Sequence, residues 1–496
     1  MPVRPNLLLI LSDQHSPKVA GFAGDPLADT PNLDALAARG VVFDNCYTAS
    51  PICTPARMAM LTGRWPSRQE CWTNDDMLAS DLPTMAHSLG AAGMRPPLIG
   101  RLHALGPDQL HGYVHREVGD HSPNWPGIPR HSMGVLEETN NPDRVSIGRS
   151  GAGQSAYQLL DAATIEATLA HLDRLKAARE AGDDTPFALT VGLMLPHAPY
   201  VATETDFARY RGRVGPPRLP PTPPDRQHPW LAWWRKARDI EDVPEADAVR
   251  ARTAYYALVN RLDRMIGEVM DRLEDNGLAE DTLIVYASDH GDQIGERGLW
   301  WKHTFYEDSA KVPLILSWPG HLGAGGRRQQ VVNLIDLTAT MLDAVGAPPL
   351  PNSQGRSFWP LALDPNAPWV DETFAEYCTD PKPSWTGGMA VQQRMIRQDR
   401  WKCIYYHGYR PQLFDLALDP DELDDLAEDP TYAAVRDRLM ERILADWDPE
   451  HIARRMRQRL ADKSLLAAWG QAVRPKDSIR WPLAAEQNRL DAPAAE

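Results

Sequence analysis

Cysteine is scarce. The 496 residues hold five, Cys46, Cys53, Cys71, Cys378 and Cys403. They are too few and too scattered for a disulfide framework, and no two stand in the Cys-x-x-Cys spacing of a zinc site. Long apolar runs are missing as well, so no segment reads as a membrane span. Leu7 to Leu11 is too short for a signal-peptide core and ends in Ser12-Asp13 with no small-residue cleavage site, which predicts a cytoplasmic protein. Positive charge is in short supply. A formal net charge of −15 argues against a surface that coats nucleic acid, while leaving room for a local basic pocket around an anion. No internal repeat is present. The length suggests one large domain with a smaller one beside it.

What is there begins with strands that end in polar residues. Leu7-Leu-Leu-Ile-Leu11 reads as a buried parallel strand, and it delivers Ser12-Asp13-Gln14-His15 at its C-terminal edge. Ligands of open α/β sheets bind outside such edges. Asp13 is therefore either a metal or substrate ligand or a turn and cap residue. Pro97 to Gly100 is a short strand that leads to Arg101-Leu102-His103, where alternate residues share a face. Phe187 to Leu195 ends in Pro196-His197, and Asp281 to Ala287 opens into Ser288-Asp289-His290. Helices are expected at 30–40, 82–93, 157–180, 248–276 and 333–345, and further strands at 41–43 and 312–318. The alternation predicts an α/β fold with a large, mostly parallel sheet flanked by helices.

Residues 115–153 are rich in Pro, Gly, Asn and His and read as a long loop of the kind that lines sites. The character changes near Pro365. Thr373 to Tyr377, Met389 to Arg397, Trp401 to Tyr406 and Gln412 to Leu416 suggest a small antiparallel sheet, with a helix from Tyr432 to Trp447 against it. This divides the chain into 1–368, the catalytic part, and 369–496, a small α+β part. The tail from Gly470 lacks a period and reads as a disordered end or an arm laid on a neighbouring subunit.

One stretch organises the rest: Thr48-Ala-Ser-Pro-Ile-Cys-Thr-Pro-Ala-Arg57. Pro51 and Pro55 read as a turn opening a helix that closes near Gly63. Cys53 then stands at a helix N-terminus, where free N–H groups favour an anion, and Arg57 points a fixed charge at the same spot. A lone cysteine is ordinarily an inert buried thiol. A thiol phosphatase would need Arg six residues after the cysteine, where Ala59 stands.

The order Cys53-Thr-Pro-Ala-Arg57 resembles the maturation signature of the sulfatases, and Ser288-Asp-His-Gly291 supports it. From Pro5-Asn-Leu-Leu-Leu-Ile to Leu413-Phe-Asp-Leu-Ala-Leu-Asp-Pro420 the chain resembles the sulfatase branch of the alkaline-phosphatase-like superfamily. Gly106-Pro-Asp-Gln-Leu-His-Gly112 and Gly295-Glu-Arg-Gly-Leu-Trp-Trp-Lys302 look most like choline-sulfatase-like enzymes. Phosphonate monoester hydrolases share the Asp13-Gln14 and Asp289-His290 arrangement.

The resemblance implies a hydrolase of sulfate monoesters. A phosphonate monoester or phosphodiester hydrolase with the same machinery is the alternative. Cys53 would be oxidised to formylglycine by a separate maturation enzyme, and its hydrated aldehyde would be the nucleophile. Asp13, Asp289, His290 and the modified Cys53 would hold one divalent cation, for which the donors suit Mn²⁺ better than Ca²⁺. Arg57 would stabilise the deprotonated hydrate, and Lys302 with Asn74 would hold the sulfuryl oxygens. His197 would protonate the leaving oxygen, and His103 would later take a proton from the hydrate. Arg101 stands where most relatives have Lys in Gly-Lys-x-His, and it too would face the anion. Trp125, Trp230, Trp233 and Trp234 either cage a quaternary ammonium or, as tryptophans do more often, fill core or interface. Family habit and the long tail imply a homo-oligomer, with a dimer as the specific expectation. Every expected polar position is occupied, which argues against a binding protein that merely keeps the fold.

Overall fold

The computed structural model describes residues 4–379 and 390–491. Its centre is a nine-stranded sheet. Eight strands follow one path: Gly326–Asn333, Val41–Tyr47, Leu314–Ser317, Thr282–Ser288, Asn6–Asp13, Ala188–Pro196, Pro97–Gly100 and His115–Glu117. Asn6–Asp13 lies parallel to both its neighbours, and the pairings out to His115–Glu117 are parallel too. Leu314–Ser317 runs antiparallel between its neighbours, and Lys311–Val312 pairs antiparallel with Val41–Tyr47. The sheet is thus large and mostly parallel, as expected.

Alternation along the first strand explains the layers. Leu8 and Ile10 face one cluster with Ile165, Leu172, Leu258 and Leu262 from the long helices Ala156–Glu180 and Glu245–Asp275. Leu7, Leu9 and Leu11 face the other cluster, with Met58, Leu61, Leu89 and Met341 from three further helices. Successive strand residues point to opposite faces, so a strand apolar on both is covered on both.

The smaller sheet is antiparallel: Glu372–Cys378, Gln392–Gln398, Trp401–Tyr406 and Gln412–Asp415, with the helix Ala433–Leu444 packed on it. The expected strand start at Met389 lies outside the described residues.

Several expectations need correction. The single strand expected over 312–318 is broken, because Pro313 has no N–H for a ladder. The strand Gly326–Asn333 was not expected. It is an edge strand whose first half is polar, so neither apolar run nor clean alternation announces it. Residues 115–153 are not one loop: they include the last strand of the sheet, the helix Arg144–Gly148 and the strand Gly151–Gln154. A 25-residue helix, Pro449–Val473, was missed because it buries only Pro449, Ile452, Met456 and Gly470.

Among the described residues the tail is not irregular throughout, and it contacts its own chain. Asn124 N donates to Asp477 Oδ1 (2.9 Å), Trp481 N donates to Asp120 O (2.9 Å), and Arg489–Leu490 pairs with Gly153 and Gln154. The arm is fixed by backbone pairing to its own chain. Among the described residues no helix is long and apolar enough to cross a membrane.

Candidate active site

Four parallel strands end at one edge of the sheet, and their C-terminal ends bring Asp13, Arg101 with His103, His197, and Asp289 with His290 together. The helix Cys53–Thr62 starts at the same edge with Cys53 as its first residue. It ends at Gly63, whose φ of 64° makes the left-handed cap that favours glycine. Cys53 and Arg57 are each 1% exposed.

Cys53 Sγ lies 3.0 Å from Lys302 Nζ, 3.2 Å from His290 Nε2 and 3.6 Å from Asp13 Oδ1. Arg57 Nε donates to Asp289 Oδ2 (2.8 Å) and its Nη2 to Asp13 Oδ2 (3.2 Å). Arg101 Nε donates to the same Asp13 Oδ2 at 2.6 Å. Both arginines thus take the Oδ2 atoms. The Oδ1 atoms are left near His290 Nε2, at 3.7 Å for Asp13 and 3.6 Å for Asp289.

Burial by itself would push the Asp13 carboxyl up, but Arg101 first, with His197, Arg57 and Lys302, holds it well below the usual carboxylate range. His290 Nδ1 donates to Gly291 O (3.1 Å), which leaves the Nε2 lone pair facing Cys53. Burial also holds His290 down to about 4, so the ring is neutral. Asp13, Cys53, Asp289 and His290 present four ligand atoms within 4.8 Å of one another. Two carboxylate oxygens and a neutral imidazole with its second nitrogen tied back fit a divalent cation.

The two histidines at the mouth differ in tautomer. His197 Nδ1 donates to Ala198 O (2.6 Å), and its Nε2 accepts from Lys302 Nζ (2.9 Å). His103 Nδ1 accepts from Arg101 Nη2 (2.9 Å), so the neutral ring carries its proton on Nε2. Burial and then Arg101 hold the His103 ring well below its ordinary range, which keeps it neutral. Asn74 lines the cavity, and its Oδ1 accepts from Thr54 N (2.9 Å).

Sequence reasoning missed part of the support. Gln14, at φ 69°, accepts from Lys302 Nζ through Oε1 (2.8 Å) and donates to Asp292 Oδ2 (2.6 Å). Asp120 accepts from His103 N (2.9 Å) and pairs with Arg116 and, at 3.5 Å, with Arg101. His121, Arg130, Asn140, Asn141 and Tyr157 line the cavity over Cys53, which holds about 40 Å³. All but Tyr157 lie in the region read as a loop, where only composition pointed to a site.

Among the described residues no tryptophan cage forms there. Trp230 and Trp234 are buried and stacked on each other at 5.7 Å, Trp233 packs beside Trp234, and Trp125 packs against Trp469. Among the described tryptophans, Trp301 reaches the cavity. A far larger cavity, about 930 Å³, contains none of these residues. Lys18, Arg218, Arg397 and Arg400 alternate there with Asp25, Asp308 and Asp421, so it selects no sign of charge.

The layout, a large central sheet flanked by helices with a C-terminal antiparallel sheet, matches that of solved sulfatase structures. Residues 5–347 match the sulfatase family, and residues 295–447 match the C-terminal part of N-sulphoglucosamine sulphohydrolase. Choline-sulfatase of Rhizobium meliloti (strain 1021) is 33% identical over 96% of this chain and 90% of its own. Arylsulfatase K of Gallus gallus is 30% identical over 86% and 79%. The phosphonate monoester hydrolase of Agrobacterium radiobacter has a TM-score of 0.69 at 22% identity, covering 89% of this chain and 95% of that one, a likeness of fold. The chain belongs to the sulfatase family and is a sulfuric ester hydrolase.

Proposed function

We propose that the chain hydrolyses small-molecule sulfate monoesters with a formylglycine made from Cys53 and one divalent cation. The observation that carries this reading is the convergence on Cys53 Sγ of Lys302 Nζ at 3.0 Å, His290 Nε2 at 3.2 Å and Asp13 Oδ1 at 3.6 Å. Sγ is the unmodified thiol and marks where the modified residue's oxygen would stand. Asp13, Asp289 and His290 with the modified residue would hold Mn²⁺ or Ca²⁺. A bound cation supplies Lewis acidity, lowering the pKa of a hydroxyl and polarising a sulfuryl oxygen.

The chain's own residues do the rest. Arg57 and Arg101 neutralise and orient Asp13 and Asp289 through their Oδ2 atoms. Lys302 and Asn74 bind the sulfuryl oxygens, where charge sits in the transition state. His197, its Nδ1–H fixed on Ala198 O, protonates the leaving oxygen from Nε2 once that nitrogen has taken a proton from Lys302, whose ammonium donates to it at 2.9 Å. His103 receives a proton only once Arg101 Nη2 leaves its Nδ1, so Arg101 is the positioning residue for that step. Cys53 is buried, so its conversion by the maturation enzyme precedes closure of the fold. The division into a catalytic part, 1–368, and a C-terminal part, 369–496, belongs to the same reading. It follows the two sheets, although the terminal arm returns to the first part.

The second reading is a phosphonate monoester or phosphodiester hydrolase, whose substrates carry one negative charge as a sulfate monoester does but a second organic substituent on the central atom. The match of residues 5–347 to the sulfatase family supports the sulfate reading. Comparison of kcat/KM on an aryl sulfate and on a phenylphosphonate monoester tests this. A sulfate preference is expected; a strong phosphonate preference would reverse the choice.

A further inference from the structure

At the far edge of the large sheet, His115 and Glu117 alternate along the last strand, so both side chains leave the same face. His171, from the helix Ala156–Glu180, meets them there. His115 Nε2 is 3.3 Å from Glu117 Oε1, and His171 Nδ1 is 4.0 Å from that same oxygen. One nitrogen from each histidine and one glutamate oxygen lie within 4.8 Å of one another. Strand and helix are fixed by the sheet and the core, so the three donors are brought together by the fold itself.

From these three side chains we propose a second metal site, for a borderline divalent cation of the zinc class. Two imidazoles and one carboxylate, with a position open to solvent, suit Zn²⁺ and are a poor set for Ca²⁺. The set also differs from the carboxylate-rich one beside Cys53. Arg174, one turn along the helix from His171, supplies a second observation. Its Nη2 donates to Glu117 Oε1 and, at 3.2 Å, to His171 Nδ1. A positive group already occupies the point where the lone pairs meet. Its side chain is 54% exposed, so it can turn out to water at small cost. Burial, then Arg174, holds His171 down to about 4, and the ring offers a lone pair with no proton to displace. The site would tie the edge strand to the helix three residues before Asp120, which supports His103.

Equilibrium dialysis against Zn²⁺, on protein that retains its active-site cation, tests the proposal. Wild type is expected to bind one Zn²⁺ more than His115→Ala, or to bind it tighter by about tenfold or more. Exposed His115 can be removed without touching the core, and melting temperatures without Zn²⁺ confirm that the variant is folded. Arg174→Ala is expected to bind Zn²⁺ more tightly than wild type, because a competing charge is gone. Zn²⁺ taken up at the active site contributes equally to all three proteins and cancels in the comparison. Equal stoichiometry and affinity in wild type and His115→Ala would overturn the proposal, as would weaker binding by Arg174→Ala.

Discussion

Arg101 and Asp13 form a buried ion pair in which Nε meets Oδ2 at 2.6 Å. The same guanidinium reaches His103 Nδ1 at 2.9 Å and Asp120 at 3.5 Å. One side chain thus holds a carboxylate of the cation site and sets the tautomer of a histidine at the mouth. An ammonium at this position keeps the charge but not the fork.

Arg101→Lys is therefore expected to break the link to His103 while keeping a charge near Asp13. Loss of one charge-assisted bond is worth about 1.5–3 kcal/mol, or roughly ten- to a hundredfold in kcat/KM. A pH profile of kcat on an aryl sulfate checks the mechanism. A shifted limb is expected with the lowered rate, and an unchanged profile would deny Arg101 any hold on His103.

His197→Ala is expected to lower kcat by about 10²–10⁴, the usual worth of a positioned acid. The loss should grow as the leaving group becomes a poorer one. Rates on nitrophenyl, phenyl and alkyl sulfates measure this. A uniform loss across the series would assign His197 to binding rather than to proton transfer.

The first strand, the Cys53 helix and the polar ends of the strands were legible in the sequence because each carries a strong local signal. Leu7 to Leu11 is apolar without interruption, and Pro51, Pro55 and Gly63 punctuate one short helix. The tautomer of His103 was not legible, since it depends on Arg101, which is itself oriented by Asp120 across a turn. Gln14 escaped because its role rests on a left-handed backbone that no composition reveals. The helix Pro449–Val473 and the arm after it escaped because the helix buries little, and the arm's partners Asn124, Gly153 and Gln154 lie more than 300 positions earlier. The described arm lies on its own chain.

Truncation after Val473 follows from that placement. It would remove Asp477 from Asn124, Trp481 from Asp120, and the strand partner of Gly153 and Gln154. The melting temperature is expected to fall and KM to rise, because His121, Ser122, Arg130 and residues 140–142 line the cavity. Light scattering is expected to give the same oligomeric state for both chains. A change of state on truncation would return the arm to an intersubunit role.

Lys402 of the small sheet joins Glu307 of the large part at 2.5 Å and Glu422 at 2.7 Å. Burial pushes Glu307 up, but Lys402, then Lys311 and Arg397, bring it down to about 2. A folded pKa below the unfolded value stabilises above about pH 4.5, and that stability is lost as pH falls toward 2, worth up to about 3 kcal/mol. Glu422, which shares Lys402, is pushed up by burial and keeps the total below that ceiling. Lys402→Met removes the cation that buried Glu307 and Glu422 share and is expected to cost about 3–5 kcal/mol in urea unfolding. Its stability should also lose much of the acid dependence over that window. An unchanged pH slope would place the acid-labile contacts elsewhere.

The central claim concerns Cys53, and the intact mass of the peptide that spans it, from protein made in its own host, tests it most directly. Activity on an aryl sulfate is measured on the same preparations. The expected result is the mass of the aldehyde or its hydrate, with activity proportional to the converted fraction. A plain thiol at Cys53 in fully active protein would contradict it and leave the nucleophile to another residue.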